Sequence, residues 1–400
     1  MKTKFSTVVA IVLAAAFLML AFAGCSDNSG NGDTQPPPSN PDTPSSPSSP
    51  GPATDSQTPS DSGPETLGPP PTPEQSTFKL GHLNSTAHLL GFVAAEKGFF
   101  AEEGLDAELL LFASAGEMVN ALEAGQLDAA FIGSVPTITF QSQGREVSIF
   151  GGAMTNGHGY VAKPEVVEGL SSWDITVLKG KNVASVKNSV QDLELQQLLT
   201  EANLSYGDPA DGTFDVNVIY FDSQRDAFNA LANEGIDAAS AYSPYTSIAK
   251  NLGYEVIYYC NEHPLFENQP CCRQVALTEA LETKPNTYQA FERAIIKAYK
   301  YSQEDKSGTV AAVKVYIDID PADIEFEVYG GHALSHPDPD KKATTQMKTG
   351  VVSFGYTNDY DIEPHYNVSI YDAALTRLLA ESPDDAIYQS LRTHFDANDK

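Results

Sequence analysis

The sequence predicts an α/β protein built from two similar lobes. The stretch EMVNALEAGQLDAAFIGSVPT (117–137) recurs as RDAFNALANEGIDAASAYSPYT (225–246), with the NAL and DAA fragments and the closing Ser and Thr in the same register. Each copy has the pattern of a helix, a turn at Gly125 or Gly235, a short buried strand and a second helix led by a serine. Chance similarity between common helix and strand fragments is the competing interpretation.

Strands and helices alternate over most of the folded part. Strands are predicted at 78–83, 106–112, 128–132, 147–153, 182–186, 215–221 and 254–259, with candidate crossing strands at 160–163 and 271–277. This alternation predicts parallel sheets with right-handed crossovers, and the crossings predict a hinge between the lobes. The remainder is helical, at 288–301, 309–317, 321–330 and 344–354, with two closing helices from 369.

Residues 1–24 have the features of an export signal. Lys2 and Lys4 precede an apolar run (8–23), and the run ends in small residues before Cys25. The pair before Cys25 resembles a bacterial lipobox, which implies cleavage and lipidation of Cys25. An uncleaved membrane anchor is the alternative. Both interpretations place the rest of the chain outside the cytoplasm, anchored to a bacterial cell membrane.

Residues 25–77 are predicted to be the lipidated cysteine and an extended tether. Positions 26–77 hold more than half of the chain's 26 prolines, with no Lys or Arg, so they cannot bury a core. The folded part then divides at the crossings. The first lobe is expected at 78–163 together with 273–400, which includes the carboxyl-terminal helices, and the second lobe at 164–272.

The charge of the chain excludes some partners. A formal net charge of −29 repels nucleic acid and anionic membrane surfaces, so the lipid anchor is the only membrane contact expected. Any bound anion must rely on local hydrogen-bond donors. No metal or cofactor is expected, because the eight histidines and the cysteines show no metal-ligand spacing.

Three cysteines remain in the folded part. A disulfide between Cys260 and either Cys271 or Cys272 is predicted, since an exported protein favours disulfides and the loop is short. The third thiol is then left free.

The turns that follow the predicted strands carry short hydrogen-bonding side chains. Ligands bind at the carboxyl ends of parallel strands, where helix amino termini point, so two facing lobes predict a cleft for an anionic or strongly polar small group. The candidate ligand-binding residues are His82, Asn84, Ser85, His88, Ser114, Ala115, Ser134, Asn156, His158, Asn188, Ser189, Gln191, Tyr242 and Arg273. Serine caps, Asx turns, core packing of His82 and Tyr242, and a salt bridge of Arg273 are the competing interpretations.

Three segments (91–136, 178–190 and 235–245) resemble the substrate-binding proteins of nitrate, sulfonate and taurine type ABC importers. The resemblance implies a type II periplasmic-binding fold and a monomeric receptor that closes over a small organic anion or polar metabolite. It also implies a membrane permease with its ATPase as partners. Carried over by position, Ser114, Ala115 and Ser134 fall on first-lobe turns of the family. Asn188 and Ser189 fall on a second-lobe turn, and Tyr242 stands where many members have tryptophan.

The vicinal cysteines leave alternatives open. The sequence PCCR (270–273) is similar to a motif of some subgroups, and related receptors for the pyrimidine precursor of thiamine carry a cysteine-rich stretch, which implies a heterocycle as an alternative ligand. A thiol enzyme with Cys272 as nucleophile and His263 as base is the rival function. No orienting acid or oxyanion motif accompanies that pair, so we expect a protein that is not an enzyme. A surface adhesin would not need two facing ligand lobes.

Overall fold

The computed structural model describes residues 68–400, which belong to one compact unit. The predicted signal peptide, the lipidation site Cys25 and most of the predicted tether lie outside the described residues. Within 68–400, no helix has both the length and the apolar character needed to span a bilayer.

The described chain contains twelve strands and fourteen α-helices. The strands are β1 (Thr77–His82), β2 (Asp106–Leu111), β3 (Ala129–Gly133), β4 (Val147–Asn156), β5 (His158–Ala162), β6 (Asn182–Val186), β7 (Tyr206–Gly207), β8 (Val216–Phe221), β9 (Ala238–Tyr242), β10 (Glu255–Tyr259), β11 (Pro270–Leu277) and β12 (Ala333–Ser335). The helices are α1 (Leu89–Glu96), α2 (Phe99–Glu102), α3 (Ala115–Glu123), α4 (Ser134–Ser142), α5 (Val190–Glu201), α6 (Gln224–Asn229), α7 (Tyr245–Asn251), α8 (Thr278–Thr283), α9 (Pro285–Glu304), α10 (Lys306–Tyr316), α11 (Pro321–Tyr329), α12 (Lys341–Ser353), α13 (Val368–Glu381) and α14 (Ala386–Asn398).

The two lobes contain sheets with the same strand arrangement. The first has the order β12-β4-β11-β3-β1-β2 and the second β10-β5-β9-β6-β8-β7. In the first, β3, β1 and β2 are parallel, and β11 runs antiparallel between β3 and β4. In the second, β9, β6 and β8 are parallel, and β5 runs antiparallel between β9 and β10. The two-lobed α/β prediction is therefore confirmed.

The expectation of purely parallel sheets is wrong for the crossing strands. Both β5 and β11 enter their sheet from the other lobe, so each begins at the edge where its neighbours β9 and β3 end. A strand that starts at that edge runs in the opposite direction and pairs antiparallel.

The repeated stretch has the same place in both lobes. Strand β3 lies between β1 and β11, and β9 lies between β6 and β5. Helices α3 and α4 flank β3 in the chain, as α6 and α7 flank β9. The repeat noticed in the sequence is therefore one structural unit used twice.

The lobe boundaries differ from those expected. The chain passes between sheets at Gly157, which has a left-handed φ of 87°, because β5 already pairs in the second sheet. The first crossing thus precedes the expected 163/164 boundary. The second crossing ends where β11 begins at Pro270, ahead of the expected 272/273 boundary.

Packed structure also begins before residue 78. The carboxylate of Glu74 accepts hydrogen bonds from the backbone N–H groups of Asn286 and Thr287, at 3.0 and 2.7 Å. The backbone N–H of Gln75 donates to the Thr287 hydroxyl at 3.2 Å. The predicted tether therefore ends a few residues earlier than proline content alone indicated.

The carboxyl-terminal helices pack on the first lobe and also reach the second. Rings of Phe78 and Phe291 stack at 4.7 Å where α9 covers the first sheet. Beyond α12, the hydroxyl of Tyr356 donates to Asp192 of α5 at 2.8 Å. In α11, Glu327 accepts a hydrogen bond from the Ser247 backbone N–H at 2.9 Å. The helical region assigned to the first lobe thus bonds directly to the second.

Candidate functional site

A cavity of about 290 Å³ lies between the lobes, where the carboxyl ends of their parallel strands face each other. We name it the cleft. Nine of the fourteen candidate ligand-binding residues line it, namely Ser85, His88, Ser114, Ala115, His158, Asn188, Ser189, Gln191 and Tyr242. The structure thus brings together residues from turns that are far apart in the sequence.

The first lobe presents the amino terminus of α3 to the cleft. Ser114 caps this helix, and its hydroxyl accepts a hydrogen bond from the backbone N–H of Glu117 at 3.3 Å. The Glu117 carboxylate accepts in return from the N–H of Ala113 at 3.0 Å, which forms a reciprocal capping box. The N–H groups of the first turn remain available to a ligand.

The second lobe presents the amino terminus of α5. Ser189 caps the helix and accepts from the backbone N–H of Asp192 at 3.2 Å. Asn188 has a left-handed φ of 60°, and its N–H donates to the Asp192 carboxylate at 3.2 Å. Burial raises the pKa of Asp192 to about 6, against the hydrogen bond that Tyr356 donates.

Sequence analysis missed several lining residues. Ser223, Gln224, Lys187, Asp222, Phe140, Cys271 and Cys272 also line the cleft. Ser223 caps α6 by accepting from the N–H of Asp226 at 3.2 Å, and the SQRD sequence at 223–226 carries the signature of a capping box. That signal was available in the sequence. Among the described lining residues, Lys187 is the only lysine or arginine.

The predicted disulfide is wrong, because all three described cysteines are free. Cys260 follows β10 and belongs to the core of the second lobe. Cys271 and Cys272 begin β11 and pack with the core of the first lobe. The short sequence separation therefore spans a crossing between two cores.

The vicinal thiols form the floor of the cleft with two histidines and a buried glutamate. The two sulfur atoms of Cys271 and Cys272 lie 3.2 Å apart. The Nε2 atom of His158 lies 3.2 Å from Cys271 Sγ, and its Nδ1 atom lies 3.1 Å from Glu194 Oε1. The ring of His88 is fully buried, and its Nε2 atom has no partner among the described residues.

These contacts shift the pKa values of the group in different directions. Burial opposes the charged form of His158, but Glu194 raises the pKa of His158 above its usual value. Burial raises the pKa of Cys271. The hydrogen bond from Cys271, followed by contact with His88, lowers the pKa of Cys272 well below that of an ordinary thiol, although burial opposes the shift. Cys272 is therefore the thiol favoured as thiolate.

The pairing of Cys272 with His263 that the rival thiol-enzyme hypothesis requires is not formed. The Nδ1 atom of His263 accepts from the backbone N–H of Leu265 at 3.2 Å, and its Nε2 atom lies 3.4 Å from Glu201. His263 does not line the cleft. It belongs to a short helical turn that packs on the second lobe, since the segment before β11 stays with that lobe.

Three of the remaining candidates, His82, Asn84 and Asn156, do not line the cleft. His82 packs edge-on against Phe92, with ring centroids 5.0 Å apart, and burial lowers the pKa of His82 to about 4. Asn84 belongs to the same turn as Ser85 but does not line the cleft. Asn156 ends β4 with a left-handed φ of 59°. The core interpretation of His82 and the turn interpretation of the asparagines fit these positions.

Ser134 does not cap its helix. Gly133 occupies the N-cap of α4, so Ser134 is the first helical residue, fully buried, and its hydroxyl has no partner among the described residues. Its counterpart Ser243 does not cap either, because α7 begins two residues later. The carbonyl of Ser243 instead accepts from the Ser85 hydroxyl at 3.0 Å and joins the lobes.

Arg273 lies outside the cleft. The pairing of β11 with β4 is irregular around Cys272 and Arg273, and both Cys271 and Cys272 line the cleft while Arg273 lines a second cavity. The arginine expected to serve the ligand in the cleft is therefore on the other side of the strand. Among the described residues, no group of three or more His, Cys, Asp or Glu side chains is arranged to hold a metal ion.

Two known proteins are similar to this chain in sequence. A candidate binding protein of Brucella abortus is 24% identical over 245 residues, covering 61% of this chain and 72% of that protein. The candidate binding protein YtlA of Bacillus subtilis is 26% identical over 258 residues, covering 62% of this chain and 73% of that protein.

Solved structures show the fold. The periplasmic nitrate-binding protein NrtA of Synechocystis superposes with a TM-score of 0.65 at 18% identity, covering 77% of this chain and 90% of that one. The ligand-binding component of an ABC-type import system of Staphylococcus aureus superposes with a TM-score of 0.63 at 16% identity, covering 75% and 99%. The expected two-lobed periplasmic-binding-protein fold is confirmed.

The family follows from the sequence profile. The profile of the NMT1-like family matches residues 71–316, which is more than half of the 400-residue chain. The matched part contains β1–β11, both crossings and every residue that lines the cleft. The chain belongs to the NMT1-like family.

Proposed function

We propose that the chain is the solute-binding component of an ABC-type import system. It captures a small organic anion or polar metabolite in the cleft and delivers it to a membrane permease with its ATPase. The observation that carries the proposal is the meeting of two capped helix amino termini, one from each lobe, in one cavity of about 290 Å³. Such termini bind anions without basic side chains, which suits a chain with a net charge of −29.

Closure of the two lobes on the ligand is the working step of this function. Two chain passages connect the sheets, at Gly157 and ahead of Pro270, and they are joined by a hydrogen bond from the Asn156 N–H to the Gln269 carbonyl at 2.9 Å. A paired crossing of this kind is a natural hinge. A ligand that contacts Ser114 and Ser189 together stabilises the closed arrangement.

A flat heterocycle, such as a thiamine pyrimidine precursor, is the second candidate ligand. It is favoured by the scarcity of basic side chains around the cleft, where Lys187 alone represents Lys and Arg among the described lining residues. Tyr242 and Phe140 supply aromatic surface, and the histidines and thiols supply polar edges. The protein acts as a receptor in both cases, without catalytic turnover.

The membrane location rests on the amino terminus. The proposal places the protein outside the cytoplasm as a monomer, held to the cell membrane by a lipid on Cys25 through the tether. Incorporation of labelled palmitate into the wild type, and its loss in Cys25→Ser, is the expected result. Labelling that persists in the variant contradicts the anchor without touching the ligand proposal.

Ligand identity can be read from the purified protein. Native mass spectrometry of the exported form should show a bound small molecule that is released on denaturation. Thermal-shift screening should then give a stabilising hit among nitrate, alkanesulfonates, taurine, aromatic carboxylates and pyrimidines. Ser189→Ala should weaken the hit by about tenfold, while Ser307→Ala, a serine of α10 remote from the cleft, should leave it unchanged. A protein without co-purified or screened ligand would contradict the receptor function.

A further inference from the structure

A second cavity, of about 880 Å³, lies behind β11 on the side away from the cleft. We name it the hinge cavity, because the second crossing forms part of its wall. Its lining includes Gln269 of the crossing, Arg273 of β11, Leu193 of α5, Met347 of α12 and His394 of α14, together with Asp338 from the loop before α12. Both lobes and the carboxyl-terminal helices therefore contribute to it.

Arg273 is buried in the wall of this cavity, with only 1% of its surface exposed. Its Nη1 atom donates to the carbonyls of Met154 and Cys272, at 3.2 and 3.0 Å. Its Nε and Nη2 atoms have no hydrogen-bond partner, and no carboxylate of residues 68–400 forms an ion pair with it. A buried charge without a partner is costly, so the free edge of the guanidinium indicates a missing anion.

The second feature is a pair of buried carboxyl groups, the acidic counterpart of Arg273. Asp338 and Asp399 are 2% and 7% exposed, and the Oδ2 atom of each receives no hydrogen bond from a described donor. Burial raises the pKa of Asp338 to about 10, and the neighbouring Asp399 carboxyl group adds to the shift. His394 places its Nε2 atom 3.8 Å from Asp338 Oδ1, too far for a hydrogen bond. Within residues 68–400, no lysine or arginine side chain forms an ion pair with either carboxyl group of this acid pair.

The guanidinium of Arg273 and the acid pair are near each other but form no ion pair. Burial raises the pKa of Asp399, and Arg273 is close enough to oppose that shift, yet the two side chains form no ion pair. A direct contact would satisfy both charges, since a buried cation and a buried anion stabilise each other when they meet. Arg273 and Asp338 line the same cavity without contact. A ligand with both a carboxylate and an ammonium group fits between them.

We propose that the hinge cavity binds a small zwitterion of the α-amino acid class. The ligand carboxylate accepts two hydrogen bonds from Nε and Nη2 of Arg273, in the bidentate arrangement that guanidinium and carboxylate groups favour. The ligand ammonium donates to Asp338, which lines the cavity and has the Asp399 carboxyl group beside it. The remaining volume, within the usual range for small-molecule sites, receives the ligand side chain. This site is separate from the cleft and does not depend on the cleft ligand.

The hinge cavity is also connected to the floor of the cleft. The side-chain amide of Gln269 donates to Glu194 at 3.1 Å, and Glu194 contacts His158, which touches Cys271 in the cleft. Three polar contacts in series therefore connect Gln269, in the wall of the hinge cavity, to the thiol of Cys271.

Isothermal titration calorimetry with the common L-α-amino acids, tested singly at up to ~1 mM, examines the proposal. At least one should bind the wild-type protein, whereas its N-acetyl and methyl-ester forms, which lack the ammonium or the carboxylate, should not. Arg273→Met and Asp338→Asn should each weaken binding by about tenfold or more. Asp338→Asn keeps the side-chain shape, so it serves as the test if Arg273→Met fails to fold.

Two controls locate the binding. Arg145→Met removes a partly exposed arginine of the first lobe that pairs with Glu123, and it should leave amino-acid binding unchanged. Ala115→Trp, which fills the cleft, should abolish binding of a cleft ligand and also leave amino-acid binding unchanged. The proposal is overturned if no amino acid binds, if the N-acetyl form binds equally well, or if Asp338→Asn binds as the wild type does.

Discussion

The cleft and the hinge cavity lie on opposite faces of the same strand, β11. They differ in which polar groups they contain and in whether those groups have hydrogen-bond partners. In the cleft, polarity comes from capped helix termini, and the caps at Ser114 and Ser189 are hydrogen-bonded as helix geometry requires. In the hinge cavity, the buried side chains of Arg273 and Asp338 lack full partners among the described residues. The helix caps of the cleft are hydrogen-bonded without a ligand, whereas the buried charged groups of the hinge cavity are not.

The largest expected effect concerns how closely the backbone packs around each cavity. A Cβ atom at Gly152 in β4 would lie 2.0 Å from the carbonyl oxygen of Asp338, so Gly152→Ala should destabilise the fold by ~3 kcal/mol or more. At Gly116, in the cleft turn, the nearest atoms to a new Cβ are 3.9 Å away. Gly116→Ala should be neutral or stabilising by up to ~1 kcal/mol. Urea unfolding of both variants measures the difference, and equal losses would contradict the contrast.

The thiols give the next largest effect. Cys272 lines the cleft with a lowered pKa, whereas burial raises the pKa of Cys260 well above its usual value. Because the thiolate is the reactive form, iodoacetamide at pH 7 should alkylate Cys272 about tenfold faster than Cys260. Peptide mass spectrometry over time follows the two sites. Cys272→Ser should remove the fast phase, and a fast phase that persists on Cys260 would disprove the assignment.

The acid pair of the hinge cavity predicts a pH effect on stability. The pKa of Asp338 is raised from 3.8 to about 10 in the folded protein, so this group favours folding most below pH 3.8 and progressively less as the pH rises toward 10. Asp338→Asn should therefore raise Tm at pH 7, by an amount equivalent to ~1 kcal/mol. The gain should vanish near pH 4, where the aspartate is protonated in both states. A Tm gain independent of pH would contradict the raised pKa.

The smallest expected effect is the difference in stability between removing a helix cap and removing a buried hydroxyl. Ser114→Ala removes the N-cap of α3 and should cost ~1 kcal/mol of stability while weakening the cleft ligand. Ser134→Ala removes a buried hydroxyl without a partner, so it should be neutral or slightly stabilising and leave cleft affinity intact. Thermal unfolding and ligand titration of the two variants provide the measurement. A loss of affinity in Ser134→Ala would mean that this hydroxyl reaches the ligand.

Much of the cleft was predictable from sequence because local patterns encode it. A serine followed three residues later by an acid marks a helix start, as at Ser114 and Glu117, and a buried strand before that start places the cap at the carboxyl edge of a sheet. The same spacing occurs at Ser223 and Asp226, although Ser223 is not among the predicted ligand-binding residues. The repeat then determines that two such edges exist.

The amino-acid sequence by itself determined the two α/β lobes, the helix and strand order, and nine of the residues that line the cleft, since each depends on residues close together in the chain. Only the tertiary structure decided what Arg273, Ser134 and the cysteines do. Arg273 and Asp338 line one cavity although more than sixty residues of chain separate them, and no local period predicts that placement. The cysteines stay apart because the short segment between Cys260 and Cys271 crosses from one core to the other. Long-range packing, rather than spacing, sets these partners.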